Sequence, residues 1–319
     1  MEYRNLGKSG LKVSVLSLGA WLSYGHKGSE AEAIATIHRA IELGANFIDV
    51  ADVYADGRAE TMVGKAIAGM KRSDLVISTK AFWPMSDNVN DRGLSRKHLF
   101  ESVEASLKRF GIDYVDLFFC HRFDPETPLE ETVRAIADLI RQGKILYWGT
   151  SMWTAAQIDA VFDVVIKMGA YGPVVEQPKY NMLDRDVVEG PLEEAVKRHG
   201  MGLVTFSPLA QGVLTGKYNA GIPEGSRATT VDENWFNRGL SQERLDKARA
   251  LDTLAREMGT TSGALALAWV IRHPQVSSAI TGATRPDQVE QNFAALDVTI
   301  TDEVAARIDQ IIRTTAPSV

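Results

Sequence analysis

The sequence predicts a single α/β domain, a (β/α)8 barrel with an N-terminal hairpin and an extra C-terminal helix. Three observations carry that prediction. Eight short apolar, β-branched runs alternate strictly with amphipathic helical patterns along the chain. Each run is apolar throughout, as strands buried on both faces must be, and alternation with helices implies parallel pairing. Eight pairs in a chain of 319 residues suit a closed TIM barrel better than an open doubly wound sheet.

The elements follow in order. Residues 1–14 carry turn signals at Gly7 and Ser9-Gly10 and read as a hairpin ahead of the barrel. Val15–Ala20 precedes a helical pattern over 30–43, Phe47–Ala51 precedes 58–69, and Leu75–Lys80 precedes 95–109. In the last of these Ser95 starts the helix, and Leu99, Val103, Leu107 and Phe110 recur at helical spacing. Val115–His121 leads to 128–142, where Thr127 is expected to cap, Pro128 to occupy the first turn and Glu130-Glu131 to favour the positive helix end, with Gly143 as terminator. Ile145–Ser151 leads to 154–168, Val174–Gln177 to 187–199, Gly202–Ser207 to a long stretch over 243–272, and Ser277–Gly282 to 286–295. A further helix near 301–313 closes the chain. No low-complexity tract, charge block or Pro- or Ser-rich linker interrupts it, so 1–319 reads as one domain.

Composition narrows the function. With 45% hydrophobic and 24% charged residues, the chain is neither disordered, collagen-like nor coiled-coil. Lys plus Arg number 35 against 41 Asp plus Glu, a net charge of −6, so no basic surplus exists to neutralise nucleic-acid phosphates. The single cysteine, Cys120, cannot form an internal disulfide and fits a reducing compartment. No run approaches membrane-spanning length, and the N-terminus has no signal-peptide core, so a soluble cytoplasmic protein without membrane insertion is expected. Metal chemistry finds no Cys pair, no H-E-x-x-H and no calcium-loop spacing. Cys120 neighbours His121 on one strand, so the two point to opposite faces, and Cys120 reads as core filler.

A barrel builds its site at the carboxyl ends of its strands. Here those ends are polar: Asp49, Asp52 and Tyr54; Thr79-Lys80; Cys120-His121; Ser151; Glu176-Gln177; Ser207-Pro208; and Gly282-Ala283-Thr284. Acid, phenol, amine and imidazole on neighbouring ends suggest a converging catalytic cluster. Taken singly, each has an ordinary use: Asp49 as a cap or buried structural acid, Tyr54 as a half-buried tyrosine, Lys80 as a surface residue or a Schiff-base lysine. His38, His98 and His199 fall in helical stretches as surface or partly buried fillers. His273, before Pro274, reads as a helix terminus, and His26 lies in a loop.

The segments 48–54 (IDVADVY) and 78–80 (STK), followed by His121, resemble the Asp–Tyr–Lys–His set of the aldo-keto reductases. YWGTSMW (147–153), EQPKYNM (176–182), FSPLAQGVLTGKY (206–218) and ITGATRPDQVEQN (280–292) extend the resemblance over nearly the whole chain, toward the potassium-channel β-subunit-like branch and its bacterial reductase relatives. The resemblance implies NADPH-dependent reduction of aldehydes or ketones with Tyr54 as proton donor. A free tyrosine has a pKa near 10 and needs tuning to act at neutral pH. Lys80 is expected to lower it by its charge, Asp49 to hold and balance Lys80, and His121 to donate to and orient the carbonyl oxygen.

No G-x-G-x-x-G follows any run, so a Rossmann site is not supported. Gly212-Val-Leu-Thr-Gly216-Lys217 is one residue short of a phosphate loop, with Tyr218 where Ser or Thr is required. By position within the family, the implied cofactor contacts are Gly19, Trp21, Ser151, Gln177, Phe206, Ser207, Leu209, Lys217, Arg227, Gly282, Thr284, Arg285, Gln288, Gln291 and Asn292. Arg227 and Arg285 are the candidates for a 2′-phosphate, which a planar guanidinium holds best. Met152 stands where the branch typically has Arg, Phe206 where Trp is common, and His121 where the channel subunits themselves carry Asn. Trp21, Tyr24, Phe82, Trp83 and Trp153, with Trp235, suggest a mainly apolar pocket. Two rival readings remain: a cofactor-binding regulatory subunit of a membrane channel, against which the chain starts almost at the barrel, and a Schiff-base lyase using Lys80. Relatives in the branch often form tetramers, so a homo-oligomer is a further implication.

Overall fold

The computed structural model describes residues 1–21, 29–224, 226 and 240–313. A hairpin of β1 (Tyr3–Asn5) and β2 (Lys12–Ser14) precedes eight parallel strands. These are β3 (Leu16–Gly19), β4 (Phe47–Asp49), β5 (Val76–Ala81), β6 (Val115–Cys120), β7 (Ile145–Ser151), β8 (Val175–Gln177), β9 (Gly202–Thr205) and β10 (Val276–Thr281). They pair in chain order and β10 returns to β3, closing the barrel. Around it lie α1 (Glu30–Glu42), α2 (Arg58–Ile67), α3 (Arg96–Phe110), α4 (Leu129–Arg141), α5 (Ala155–Met168), α6 (Pro191–His199), α7 (Gln242–Glu257), α8 (Ser262–Ile271), α9 (Pro286–Phe293) and α10 (Asp302–Arg313). The predicted barrel, hairpin and final helix are all present.

Local chemistry explains the helix ends. Ser29, Ser95, Thr154, Ser241 and Thr261 each accept a hydrogen bond from a first-turn amide, and Thr154 with Gln157 completes a capping box. Two expectations need correction. The apolar period over 243–272 is not one helix: Gly259, at φ +70°, ends α7, and the Thr261 side chain starts α8. Thr127 does not cap α4; its hydroxyl donates to Asp124 Oδ2 at 2.7 Å, and Pro128 takes the cap position with no side-chain bond.

Two apolar layers result. Outside the strands, helix faces such as Leu99, Val103, Leu107 and Phe110 of α3 join the main core, which also holds Cys120 and the wholly buried Trp148 and Trp269. His98 is buried as well, beyond the partial burial expected of it. Inside the barrel, Phe47, Val76, Leu117, Phe119, Val175, Val204 and Ile280 form a separate cluster with Leu6 and Val13 of the hairpin. Side chains along a strand alternate between faces, so each inner residue fixes the next inward one two positions on. Toward the carboxyl rim these are Asp49, Ser78, Lys80, His121, Gln177 and Phe206. The polar residues thus occupy the top layer of an otherwise apolar interior.

The turn after β4 is tightly wound. Ala55, Asp56 and Gly57 lie consecutively at φ +51°, +54° and +80°. A Cβ on Gly57 would sit 2.6 Å from Cδ of Arg109, and Arg109 is tied at 2.5 Å to the buried Glu60. Gly57→Ala is therefore expected to lower the unfolding free energy by about 1–3 kcal/mol. The urea midpoint should fall with an unchanged slope; an unmoved midpoint would contradict this account of the turn.

Candidate active site

The top layer of the barrel is organised by a buried ion pair. Lys80, with no exposed surface, donates from Nζ to Asp49 Oδ2 at 2.7 Å and to the Val50 carbonyl at 2.7 Å. Asp49 Oδ1 accepts from Ser78 Oγ at 2.8 Å and Gln177 Nε2 at 3.0 Å. A pair in this position is tolerable only because its hydrogen-bonding capacity is so fully used. Tyr54 Oη lies 3.4 Å from the same Nζ, with the ammonium 5.0 Å from its ring centre. The His121 ring meets Tyr54 edge-on, centroids 5.9 Å apart at 76°.

The Tyr54 turn is held by buried groups from neighbouring elements. Asp52 accepts from the Val53 amide at 2.6 Å and from Ser102 Oγ of α3 at 2.9 Å. Burial, and then the charge of Glu60, raise the Asp52 carboxyl to about 7. Glu60 itself accepts from Thr79 of β5 and Arg109 of α3, clamping α2 between them.

The charges do not act on Tyr54 as the sequence suggested. Burial first, and then the Asp49 charge, raise the Tyr54 phenol well above its ordinary value. Lys80 does not reverse the rise, because its charge is matched by Asp49 at 2.7 Å. The cation that opposes the rise is Arg122. Burial, reinforced by Lys80 and Arg122, pushes His121 well below the ordinary histidine range, so it is neutral near pH 7. Its Nδ1 is buried with no partner among the described residues. The arrangement comprises a protonated phenol beside a fixed ammonium and a neutral imidazole on the same cleft.

That cleft, of about 600 Å³, is lined by Trp21, Tyr54, Trp83, His121, Ser151, Gln177, Phe206 and Ser207, all expected from the sequence. Trp153 is corrected: it is 2% exposed and packs edge-on to Phe123 at 5.0 Å, in the core. Phe82 supports the wall indirectly, against Trp83 at 5.1 Å. Gly19 ends β3, where a Cβ would meet Ile280 Cγ2 at 2.5 Å. Leu209 packs on the core and Lys217 is exposed, its ammonium 4.9 Å over the Tyr218 ring. Gly282, Thr284, Arg285, Gln288, Gln291 and Asn292 gather around the start of α9, outside this lining. There the Thr284 amide donates to Gln288 Oε1 at 2.8 Å, Asn292 Nδ2 to the Gly282 carbonyl at 3.3 Å, and Arg285 pairs with Asp287 at 3.1 Å. Tyr24, Arg227, Trp235 and His26 lie outside the described residues.

Sequence reasoning missed Arg122, Lys179, Asp184 and Arg244, which line the same cleft. Asp184 takes both Arg244 nitrogens, at 2.9 and 2.8 Å, and Lys179 at 2.9 Å. Arg122 was legible only as the residue after His121. Lys179 and Arg244 share the one carboxylate of Asp184, a net positive group that suits a phosphate-bearing ligand, while Phe206, Ser151 and Gln177 offer a ring face and polar groups to a flat carboxamide. A nicotinamide dinucleotide fits this donor set. Among the described residues no cluster could hold a metal ion, and no helix is long and apolar enough to cross a membrane.

Comparison with known proteins gives a consistent relationship. Residues 15–313 match the model of the aldo/keto reductase family. The chain is 49% identical to a probable voltage-gated potassium channel subunit beta from Arabidopsis thaliana, covering 98% of this chain and 97% of that one. Identity is 46% to a probable voltage-gated potassium channel subunit beta of Oryza sativa subsp. japonica, over 98% and 97% of the two chains. It is 43% to a putative voltage-gated potassium channel subunit beta of Schizosaccharomyces pombe, over 99% and 94%.

Beside the cleft, Glu176 is buried on the outward face of β8, accepting from Thr150 and from the Trp153 amide at 3.1 Å. Burial raises its carboxyl to about 8. Between the unfolded value near 4.5 and about 8 the folded chain holds a proton that the unfolded chain has lost, so stability falls as pH rises through this window. Glu176→Gln should flatten that decline between pH 5 and 8, visible in thermal melts across pH. An unchanged pH dependence would mean that Glu176 is ionised in the fold.

Proposed function

The chain belongs to the aldo/keto reductase family and is an oxidoreductase, and from that premise we propose that it reduces aldehydes or ketones with NADPH, using Tyr54 as proton donor. The observation that carries the reading is the Tyr54 hydroxyl on a cleft wall, 3.4 Å from an ammonium already fixed by Asp49. A reduced nicotinamide dinucleotide, when bound, supplies the hydride to the carbonyl carbon. Negative charge then develops on the carbonyl oxygen. Tyr54 gives that oxygen its proton, and the high phenol pKa keeps the proton in place until the charge appears. The phenolate left behind faces Lys80, whose position is fixed in advance, so no solvent reorganisation is needed to stabilise it. Neutral His121 can donate to the same oxygen and orient it. Gln177, anchored to Asp49 through its amide nitrogen, and Ser151, which donates to the Gln177 carbonyl at 3.0 Å, would hold the carboxamide side of the cofactor.

The Schiff-base alternative is disfavoured because Lys80 is wholly buried and does not line the cleft. The relatives' names favour a second reading, a nucleotide-holding subunit for a channel. His121 on the cleft supports turnover instead, and co-purification with membrane fractions tests the channel association.

Tyr54→Phe keeps the ring and removes the transferable proton. Turnover should fall by at least roughly 100-fold with little change in cofactor affinity, and near-normal turnover would sink the assignment. Lys80→Met should also collapse the rate, and its residual activity should persist to higher pH, because the Asp49 charge, no longer matched by an ammonium, raises the donor pKa further. An unchanged pH profile would make Lys80 structural only.

Preference for NADPH is the finer proposal. Arg285 is exposed and tied to Asp287 by a surface pair, which costs little to break in favour of a phosphate. Wild type should bind NADPH more tightly than NADH, and Arg285→Ala should weaken NADPH binding alone, by about 1.5–3 kcal/mol. Equal affinities for the two cofactors by fluorescence quenching would refute the preference.

A further inference from the structure

We propose that Arg122 binds a carboxylate on the carbonyl substrate, so that this cleft prefers oxo acids to neutral aldehydes and ketones; the inference rests on the reductase reading above. Arg122 follows His121 at the end of β6, half-buried in the cleft wall. Its Nη1 donates to the His121 carbonyl and lies 3.5 Å from Ser151 Oγ, both neutral partners. Neither Nε nor Nη2 is among the buried nitrogens without partners, and neither has a protein acceptor among the described residues, so both are open to the cleft. The guanidinium carbon stands 5.5 Å from the Trp83 ring, which braces the group from one side.

Charge compensation separates Arg122 from the other cations of the cleft. Lys179 and Arg244 are both bound to Asp184, at 2.9 and 2.8 Å. Among the described residues no carboxylate comes within ion-pair distance of Arg122. The acid whose field reaches it, Glu176, is hydrogen-bonded to Thr150 and the Trp153 amide instead. A partly desolvated cation without a counter-ion is costly to keep unless a ligand supplies one.

The fork of a guanidinium matches a planar carboxylate through two parallel hydrogen bonds. The single charge of Arg122 matches the single charge of a carboxylate. The Arg122 charge is felt at both Tyr54 and His121, which puts the anion only a few bonds from the carbonyl being reduced. Trp21 and Trp83 then contact the short apolar stretch that joins them.

The test compares aldehydes and ketones carrying a carboxylate one to four carbons from the carbonyl, each against its primary amide, with NADPH as reductant. For at least one pair, wild type should show kcat/KM roughly 10- to 100-fold higher for the acid, mainly through KM. Arg122→Met should bring that ratio near one, and Arg122→Lys should restore part of it as a point charge. Acid and amide reduced equally by wild type, or a preference that survives Arg122→Met, overturns the proposal. So does an Arg122→Met variant that loses both substrates equally and shifts its pH profile, since Arg122 would then act on Tyr54. Amide turnover by wild type tests the underlying reductase reading separately: if neither acids nor amides are reduced, that reading fails and this inference falls with it.

Discussion

The Lys80–Asp49 pair is the interaction on which the site is built. Burying an ammonium with no exposed surface demands a charge partner and further acceptors within reach. Asp49 on β4 and the Val50 carbonyl after it accept from Lys80 of β5, and Ser78 of β5 and Gln177 of β8 in turn donate to Asp49, so three separate strands meet at the pair. Only a closed barrel brings β4 and β8 to face each other across one interior. The same closure aims the remaining reach of the lysine at Tyr54, so the stability of the pair and the placement of the phenol are one constraint. Removing either charge would leave the other uncompensated in an apolar layer, above Phe119, whose ring centre is 5.8 Å from Nζ.

Around this pair the backbone is strained where function needs loops to turn sharply. The described non-glycine residues at positive φ are Ala55, Asp56, Met152, Ser207, Ala210 and Gln211. All follow barrel strands at the carboxyl rim: the first two after Tyr54, Met152 after Ser151, and the rest after Phe206. Such conformations cost about 1–3 kcal/mol each and persist where surrounding structure over-determines them. Here the over-determination is visible. Asp52, Ser102, Glu60 and Arg109 hold the Tyr54 turn, and the Met152 amide donates to the Gln177 carbonyl at 3.2 Å.

Acids outside the reaction set the electrical character of the site as much as those in it. Asp52, raised to about 7, and Glu176, raised to about 8, are both buried against neutral donors or like charge. With their charge reduced near neutral pH, the charges that act on Tyr54 and His121 are chiefly Asp49, Lys80 and Arg122. Of these, Asp49 and Lys80 offset each other at short range, which leaves Arg122 as the charge felt beyond them. A phenol in such a place keeps its proton until an adjacent oxygen becomes negative.

The sequence by itself determined the architecture and the reacting set. Period and cap residues are local properties, so eight apolar runs, their helices and the alternation that turns Asp49, Lys80, His121 and Gln177 inward could be read along the chain. The family motifs marked Tyr54, which lies beyond its strand and outside that parity. The break at Gly259 had a local signal too, hidden by an apolar period that runs on through it. What only the tertiary structure decided are quantities summed over distant elements. Trp153 reads as a rim aromatic until its packing on Phe123 buries it. Asp184 meets Arg244 across 60 residues, and among the described residues Arg122 is then the cation of the cleft with no carboxylate partner. The sign of the shift at Tyr54 depends on whether Lys80 or Asp49 acts with net effect there, and on how much water is excluded. No local pattern encodes either, because both arise when separate strands are closed into one interior and the dielectric falls around them.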